Sequence, residues 1–565
     1  MIALGARARR LVLVGVAALA AAACDQAPRD NGTEAAVERP ACTAPTVPTT
    51  SGPVCGLTRS GWDADPADVP VHAYLGIRYA TARRWERPEP FRSDAPLRAT
   101  APGKVCPQLA AWSDPARQGE DCLFLNVWTP AARGPRPLPV MVFIHGGAFV
   151  LGAGSAPVND GGSLAARGNV VVVTLNYRLG ALGFLAGGSG EDRLEGNYGL
   201  RDQQMALEWV RANAHAFNGD AGAVTLFGES AGAMSVGGHL AAPSSRSLFH
   251  SVIVQSNPYG IPFKTRREAV TVRRAFDVAT RACLGGGLAC LKGLSAQRIG
   301  EAEGRALPRL APLFFQGWAG LLTWTPVVDG ALVPVQPLSV EIDVPVIAGT
   351  NRDEGQLFVG GLRGLADWEY PLALRFLFGA GATARILEDP RYAGDTDGNV
   401  QALGRVVSDY VFACATRHVL GRARTPAAFG YEFRHAPSYA PWPAGLPLSA
   451  GCQPEQRRAC HSFELPFVFG NAVTVVGRTA RHPFAVQHRF TPEERQLADL
   501  IGRYWTAFAR RSDPNSPESP RWPRFATDGA RLVLDTTIAE TRDADARCGA
   551  LWDRIGYGVG ADARS

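Results

Sequence analysis

Val224-Thr225-Leu226-Phe227-Gly228-Glu229-Ser230-Ala231-Gly232 runs from an apolar stretch into a serine bounded by glycines, and Met234-Ser235-Val236-Gly237-Gly238-His239-Leu240 follows. That order reads as strand, very tight turn, helix. A Gly-x-Ser-x-Gly in that setting is a nucleophile elbow, a strained turn that lifts a serine hydroxyl to the top of a sheet. Side chains at Gly228 or Gly232 would collide with neighbouring elements as the turn closes. Glycine supplies 62 of the 565 residues, so the pentapeptide arises by chance about 0.3 times in a chain of this length. Its surroundings must therefore decide.

A serine hydroxyl is a poor nucleophile until a histidine takes its proton and a carboxylate orients that histidine. On an α/β-hydrolase sheet the three follow in the order Ser, acid, His. A later strand, Val344-Pro345-Val346-Ile347-Ala348-Gly349, leads into Thr350-Asn351-Arg352-Asp353-Glu354-Gly355, where Asp353 and Glu354 compete for the acid. Histidines beyond it are His418, His435, His461, His482 and His488. His461 heads a distinct apolar segment, Ser462-Phe463-Glu464-Leu465-Pro466-Phe467-Val468-Phe469-Gly470. Upstream, the buried-strand pattern Pro139-Val140-Met141-Val142-Phe143-Ile144 ends in His145-Gly146-Gly147-Ala148-Phe149. Small residues there let backbone N–H groups approach an oxyanion, and Ala231 adds a donor at a helix N-terminus.

Further strand patterns cover residues 71–79, 123–128, 170–175, 251–256 and 429–434, and helical spacing covers 202–217 and 491–510. Strands alternating with helical segments predict an α/β fold: a mostly parallel sheet with helices on both faces. Residues 260–335 and 355–425 read as long, partly helical insertions over the sheet's C-terminal edge, where such folds keep their sites.

Composition is globular, with 46% hydrophobic and 19% charged residues, and the net charge of +6 includes Arg7, Arg9 and Arg10. No basic cluster fit to track phosphates remains, which argues against nucleic acid as a partner. Those arginines open a secretion signal over residues 1–23, with an apolar run too short to span a membrane. Cys24 follows Leu19-Ala20-Ala21-Ala22-Ala23, which resembles a bacterial lipoprotein cleavage box, although Ala21 stands where a larger aliphatic residue is usual. Ordinary signal cleavage near Ala23 is the alternative. Both readings place the mature protein outside the cytoplasm, in a bacterial periplasm, on a membrane or secreted. Residues 24–53, rich in Ala, Pro and Thr, read as a flexible tether, and 54–565 as one domain. With Cys24 set aside, ten cysteines remain, an even number suited to an oxidising compartment. Spacing alone does not give their pairing. No spacing matches a zinc site.

Taken together these residues resemble the type-B carboxylesterases, the family of bacterial p-nitrobenzyl esterases, liver carboxylesterases and cholinesterases. The resemblance runs over nearly all of residues 54–560. It rests on Leu75-Gly76-Ile77-Arg78-Tyr79-Ala80, Glu120-Asp121-Cys122-Leu123-Phe124-Leu125-Asn126, Leu175-Asn176-Tyr177-Arg178-Leu179-Gly180 and the motifs above. It implies Ser230 as nucleophile, Glu354 rather than Asp353 as acid, His461 as base, and Gly147, Ala148 and Ala231 as oxyanion donors. Ala148 stands where the family usually has a third glycine. The family's bridges map onto Cys106–Cys122, Cys283–Cys290 and Cys414–Cys548, leaving Cys42–Cys55 and Cys452–Cys460 as extras. Trp112 corresponds loosely to a choline-stacking tryptophan, and Leu321, Leu322 and Trp324 to an acyl pocket; ordinary core packing is an equal reading of these last three.

The expected function is exported serine carboxylic-ester hydrolysis of a small-molecule substrate, with no metal or organic cofactor implied. Alternatives on the same triad are a lipase, an amidase or a specialised xenobiotic or toxin esterase. A different class, a non-catalytic binding protein of this fold, typically lacks a triad member, and all three are present here. A histidine base at its ordinary value predicts activity that rises as the pH passes through about 6 to 7. For the anchor, Cys24→Ser should move the protein from the membrane fraction to the soluble one; an unchanged partition would mean ordinary secretion.

Overall fold

Every residue of Leu138–Ile144 is buried, and its side chains alternate between two cores. Val140, Val142 and Ile144 face one apolar cluster, while Met141 and Phe143 face the other. A strand covered on both sides reads as a continuous apolar run for this reason. The computed structural model describes residues 41–60, 69–108, 117–132, 134–283, 286–306, 321–362, 364–394, 398–443, 447–475, 485–525 and 528–557. The signal, Cys24, most of the tether, Trp112 and His482 lie outside the described residues.

The central sheet contains β1 (Leu57–Arg59), β2 (Val71–Arg78), β3 (Phe124–Pro130), β4 (Leu138–Ile144), β5 (Val171–Leu175), β6 (Gly219–Glu229), β7 (Ser251–Gln255), β8 (Val346–Asn351), β9 (Ala428–Phe433), β10 (Arg531–Leu534) and β11 (Ala539–Thr541). Their spatial order is β11-β10-β9-β8-β7-β6-β4-β5-β3-β2-β1. The run from β10 to β5 is parallel throughout. Pairing turns antiparallel only towards the two edges. The mostly parallel α/β sheet expected from the sequence is therefore present.

Helix α1 (Gly162–Gly168), α2 (Tyr198–Asn213), α3 (Ala231–Ala241), α4 (Glu354–Val359), α5 (Leu465–Phe469) and α6 (Pro492–Arg511) frame the site. On one face α2 contributes Leu200, Leu207 and Val210, and α3 contributes Met234, Val236 and Leu240. On the other face α6 buries Leu497, Ile501, Tyr504, Trp505 and Phe508 at helical spacing. Its start is set by a capping box: Thr491 Oγ1 accepts from Glu494 N, Glu494 returns a bond to Thr491 N, and Pro492 occupies the first turn. The insertions form short helices, Arg266–Ala279, Gly287–Gly293 and Ala296–Ala306 in the first, and Glu369–Phe378, Ala380–Glu388 and Asn399–Val407 in the second.

The folded body begins before residue 54, which corrects the expected end of the tether. Val47 pairs with Val54 across a short bridge, and Cys42 is bonded to Cys55 with Cα atoms 5.7 Å apart. Trp209 Nε1 donates to the buried Ser51 hydroxyl at 2.9 Å, and Thr50 N donates to Asn213 Oδ1 at 2.7 Å. These polar ties need no hydrophobic periodicity, so the composition of 41–53 did not reveal them. Four further disulfides join Cys106–Cys122, Cys283–Cys290, Cys414–Cys548 and Cys452–Cys460, with Cα separations of 4.9, 5.6, 5.3 and 6.0 Å.

Candidate active site

Ser230 joins β6 to α3 with φ 56° and ψ −123°. A non-glycine residue in that region is strained, at roughly 1–3 kcal/mol, and here tight packing holds it. A Cβ on Gly232 would fall on the Ile144 carbonyl oxygen at the end of β4, and one on Gly228 would lie 2.6 Å from the Gly232 carbonyl carbon. The helix thus starts hard against β4. Ser230 N donates to Gln255 O at 3.0 Å, which ties the turn to β7 as well.

Beyond β4 the chain turns through Gly147, Ala148 and Phe149, all at positive φ (108°, 53° and 61°). This is a left-handed run in which glycine is favoured, and Ala148 bears a modest steric penalty of about 1 kcal/mol there. Gly147 O accepts from Val150 N and Leu151 N at 3.0 and 3.1 Å, so that carbonyl is turned back into its own loop. The first N–H groups of α3, beginning with Ala231, have no intrahelical acceptor, and the helix dipole adds positive potential there.

Glu354 opens α4 and is fully buried. Its Oε1 accepts from Asn351 N at 2.7 Å, and its Oε2 lies 2.5 Å from His461 Nδ1. Asp353 faces elsewhere: its Oδ2 accepts from Ala459 N at 2.9 Å and pairs with Arg352 Nε at 2.9 Å. Of the two carboxylates that competed in the sequence, Glu354 is the one at the imidazole. Phe358 and Phe412, both from the second insertion, pack on the His461 ring at 5.0 and 5.2 Å. The other described histidines have different partners. His435 contacts Asp535 and Glu494, His488 stacks on Tyr439, and His418 packs on Tyr557. Cys460, next to His461, is locked in its disulfide with Cys452.

One cavity of about 250 Å³ is lined by Ser230, His461, Gly146, Gly147 and Ala148, with apolar walls that include Leu357, Phe358, Trp442, Leu448 and Leu465. Leu321, Leu322 and Trp324 are not among its lining residues. Trp324 packs edge-on against Phe276 at 5.8 Å, the Leu322 carbonyl accepts from the Lys264 ammonium, and Leu321 packs with the core of the second insertion. Trp324 is buried, while Leu321 and Leu322 are partly buried against the edges of two core clusters. Among the described residues no group of His, Cys, Asp and Glu is arranged to hold a metal ion, and no helix is long and apolar enough to cross a membrane.

The chain matches the carboxylesterase family model over residues 43–372 and 374–549. It belongs to the carboxylesterase family. It is 34% identical over 527 residues to the para-nitrobenzyl esterase of Bacillus subtilis strain 168, covering 88% of this chain and 96% of the relative. It is 32% identical to acetylcholinesterase of Bungarus fasciatus, covering 90% of this chain and 86% of that protein. With the bile salt-activated lipase of Mus musculus it shares 33% identity, over 83% and 80% of the two chains. Among solved structures, a thermophilic PNB esterase matches with a TM-score of 0.71 and 32% identity, covering 89% of this carboxylesterase and 99% of that chain. The protein is a carboxylic-ester hydrolase with an α/β-hydrolase fold.

Nothing in the sequence pointed to two further buried carboxylates near the imidazole. Glu229, inside the serine motif, accepts from Ser462 Oγ at 2.7 Å. Its Oε1 lies 3.1 Å from His461 Nε2, yet Nε2 has no aligned hydrogen-bond partner. Glu464 accepts from Gln255 Nε2 at 3.1 Å and from Asn351 Nδ2 at 2.7 Å, and Gln255 in turn accepts from Trp505 Nε1. Burial, joined by the nearby charge of Glu229 and Glu354, pushes Glu464 up to about 8. Burial likewise raises Glu229 above the usual carboxylate range, against the opposing pull of His461 and Ser462. For His461 burial opposes the charged form, but Glu229 and Glu354 outweigh it and hold the imidazole up at about 9, above its ordinary 6.5.

The base expected at His461 works when deprotonated, so a raised value moves the alkaline rise in activity upward, beyond the pH 6 to 7 expected from an ordinary histidine. The midpoint of kcat/KM against pH should lie above 6.5, the ordinary value for histidine. Glu229→Gln, which removes one of the two charges that raise it, should move that midpoint to lower pH. A wild-type midpoint at or below the ordinary value, or an upward shift in the variant, would contradict this electrostatic account.

Proposed function

We propose that this carboxylesterase is an exported serine hydrolase that acts through Ser230, His461 and Glu354 by an acyl-enzyme. The observation that supports this reading most is the single cavity lined by the strained serine, the imidazole and the left-handed loop at Gly147 and Ala148. His461 Nε2 takes the proton from Ser230 Oγ as the oxygen attacks the ester carbonyl carbon. Negative charge moves onto the carbonyl oxygen and is met by the N–H groups of Gly147, Ala148 and Ala231. Collapse of the tetrahedral species breaks the bond to the alcohol, and His461 returns the proton to the leaving oxygen. Water then attacks the acyl group with His461 again as base, releasing the acid and restoring Ser230. Glu354, across the 2.5 Å contact to Nδ1, orients the imidazole and stabilises its charged form.

The cavity walls favour esters with apolar or aromatic groups, since Leu357, Phe358, Trp442, Leu448 and Leu465 line it. Export and anchoring through Cys24 are read from the N-terminal sequence. The five disulfides fit an oxidising compartment.

Ser230→Ala should retain the fold while ester hydrolysis falls on the order of 10³-fold or more. Glu354→Gln should damage turnover far more than Asp353→Asn. Near-normal turnover by Ser230→Ala would remove the assignment of the nucleophile, and a reversed order of the two acid variants would move the acid to Asp353. Both are measured as kcat/KM on a small aryl ester, with circular dichroism to check folding.

A further inference from the structure

Oxyanion donors act only if their peptide planes are held still, and the loop that carries Gly147 and Ala148 has no regular secondary structure to hold it. Its support comes from side chains. Tyr177 OH donates to His145 O at 2.9 Å, and the two rings stack with centroids 4.5 Å apart. His145 Nδ1 lies 2.8 Å from Gly146 O. Burial pushes His145 down to about 4, so the ring is neutral and its Nδ1–H donates to that carbonyl. With Gly147 O bonded back to Val150 N and Leu151 N, three successive carbonyls, His145 to Gly147, are tied off.

The His145 ring is itself held by a close approach. Gly152 sits at φ +109°, and a Cβ there would lie 2.6 Å from Gly146 O and on top of His145 Nδ1. The backbone of Gly152 therefore forms the wall against which the His145–Gly146 contact is pressed. That wall is clamped by one side chain. Gly152 N donates to Gln108 Oε1 at 3.0 Å, and Gln108 Nε2 donates to Gly152 O at 3.0 Å. This amide orientation alone satisfies both bonds, because exchanging O and N would set donor against donor. Gln108 belongs to the segment closed by Cys106–Cys122, and its Nε2 also donates to Cys106 O at 3.1 Å. Two residues on, Gly154 N donates to Asn176 Oδ1 at 2.9 Å, and Asn176 Nδ2 donates to Cys122 O at 3.2 Å. Both ends of residues 152–154 are thus fastened to the same disulfide-closed segment.

We infer that Gln108 is a positioning residue for the oxyanion donors: it clamps Gly152, which braces His145 and Gly146, which in turn fix the peptide planes at Gly147 and Ala148. The inference rests on the proposed acyl-enzyme function and extends it to a residue that need not touch the reacting atoms. Gln108 also reaches the cavity, so direct contact with substrate is the rival role.

The two roles separate in kinetics. Gln108→Met keeps the length and bulk of the side chain but makes neither bond, and Gln108→Ala removes both bulk and bonds. Each should lower kcat on a small ester about 10- to 100-fold per active site, with KM within about threefold of wild type. Active sites are counted by covalent titration with a small phosphonate. Affinity for a trifluoromethyl ketone, whose serine adduct carries an oxyanion, should fall in parallel with kcat, while inhibition by the product alcohol should not change. Joining Gln108→Ala to Cys106→Ser/Cys122→Ser should cost less than the sum of the separate effects, since both act on one support. A raised KM with kcat preserved would make Gln108 a substrate contact and overturn the inference. So would wild-type kcat per titrated site, which would reduce its role to folding. No phosphonate label on Ser230 in the unaltered enzyme would overturn the proposed function as well.

Discussion

The start of α3 lies so close to the end of β4 that only hydrogen fits at Gly232, against the Ile144 carbonyl oxygen. Everything at the site depends on that contact. It forces Ser230 into a left-handed turn and brings the first N–H groups of α3 beside the loop that leaves β4. A larger residue would open the gap and separate the serine from the loop at Gly147 and Ala148. The parallel pairing of β4, β6, β7 and β8 then brings the end of β8, with Glu354, to the same edge of the sheet. Strain at one residue is affordable because a core on each face of the sheet fixes both strand and helix.

A second constraint is electrostatic. Glu229, Glu354 and Glu464 are buried around a single imidazole, where the full charge of three carboxylates would be costly. The protein divides the burden. Ser462, Gln255 and Asn351 supply donors, and burial favours the protonated form of Glu464. The imidazole, held above its ordinary range, is a stronger base than a solvent-exposed histidine and faces a cavity with mainly apolar walls. The aromatic rings of Phe358 and Phe412 come from an insertion, so the part of the chain that helps to shape the pocket also seats the imidazole.

Much of this was legible in the sequence because it is local. The strand-turn-helix around Ser230, the loop after β4 and the capping box at Thr491 are each encoded within a few residues. What was not legible is non-local or short. Asp353 and Glu354 are adjacent, and only the chain arriving at Ala459 and His461 tells them apart. The Glu229–Ser462 bond spans 233 positions, and no spacing rule reaches that far. The outer strands β1 and β11, and β10 beside β11, have three or four residues each, too few to show a period. Residues 41–53 looked like a tether because only Ala44 and Val47 enter the core, too few for a hydrophobic period, and hydrogen bonds and one disulfide hold the rest.

The central claim is covalent chemistry at one hydroxyl. Rapid mixing of enzyme with an excess of an activated aryl ester, followed by acid quench and peptide mass analysis, tests it most directly. The account predicts a burst approaching one equivalent of released alcohol per protein, with the acyl group on the peptide that contains Ser230 and on no other. Steady release of alcohol with no acylated peptide, or an acyl group carried by another residue, would contradict it.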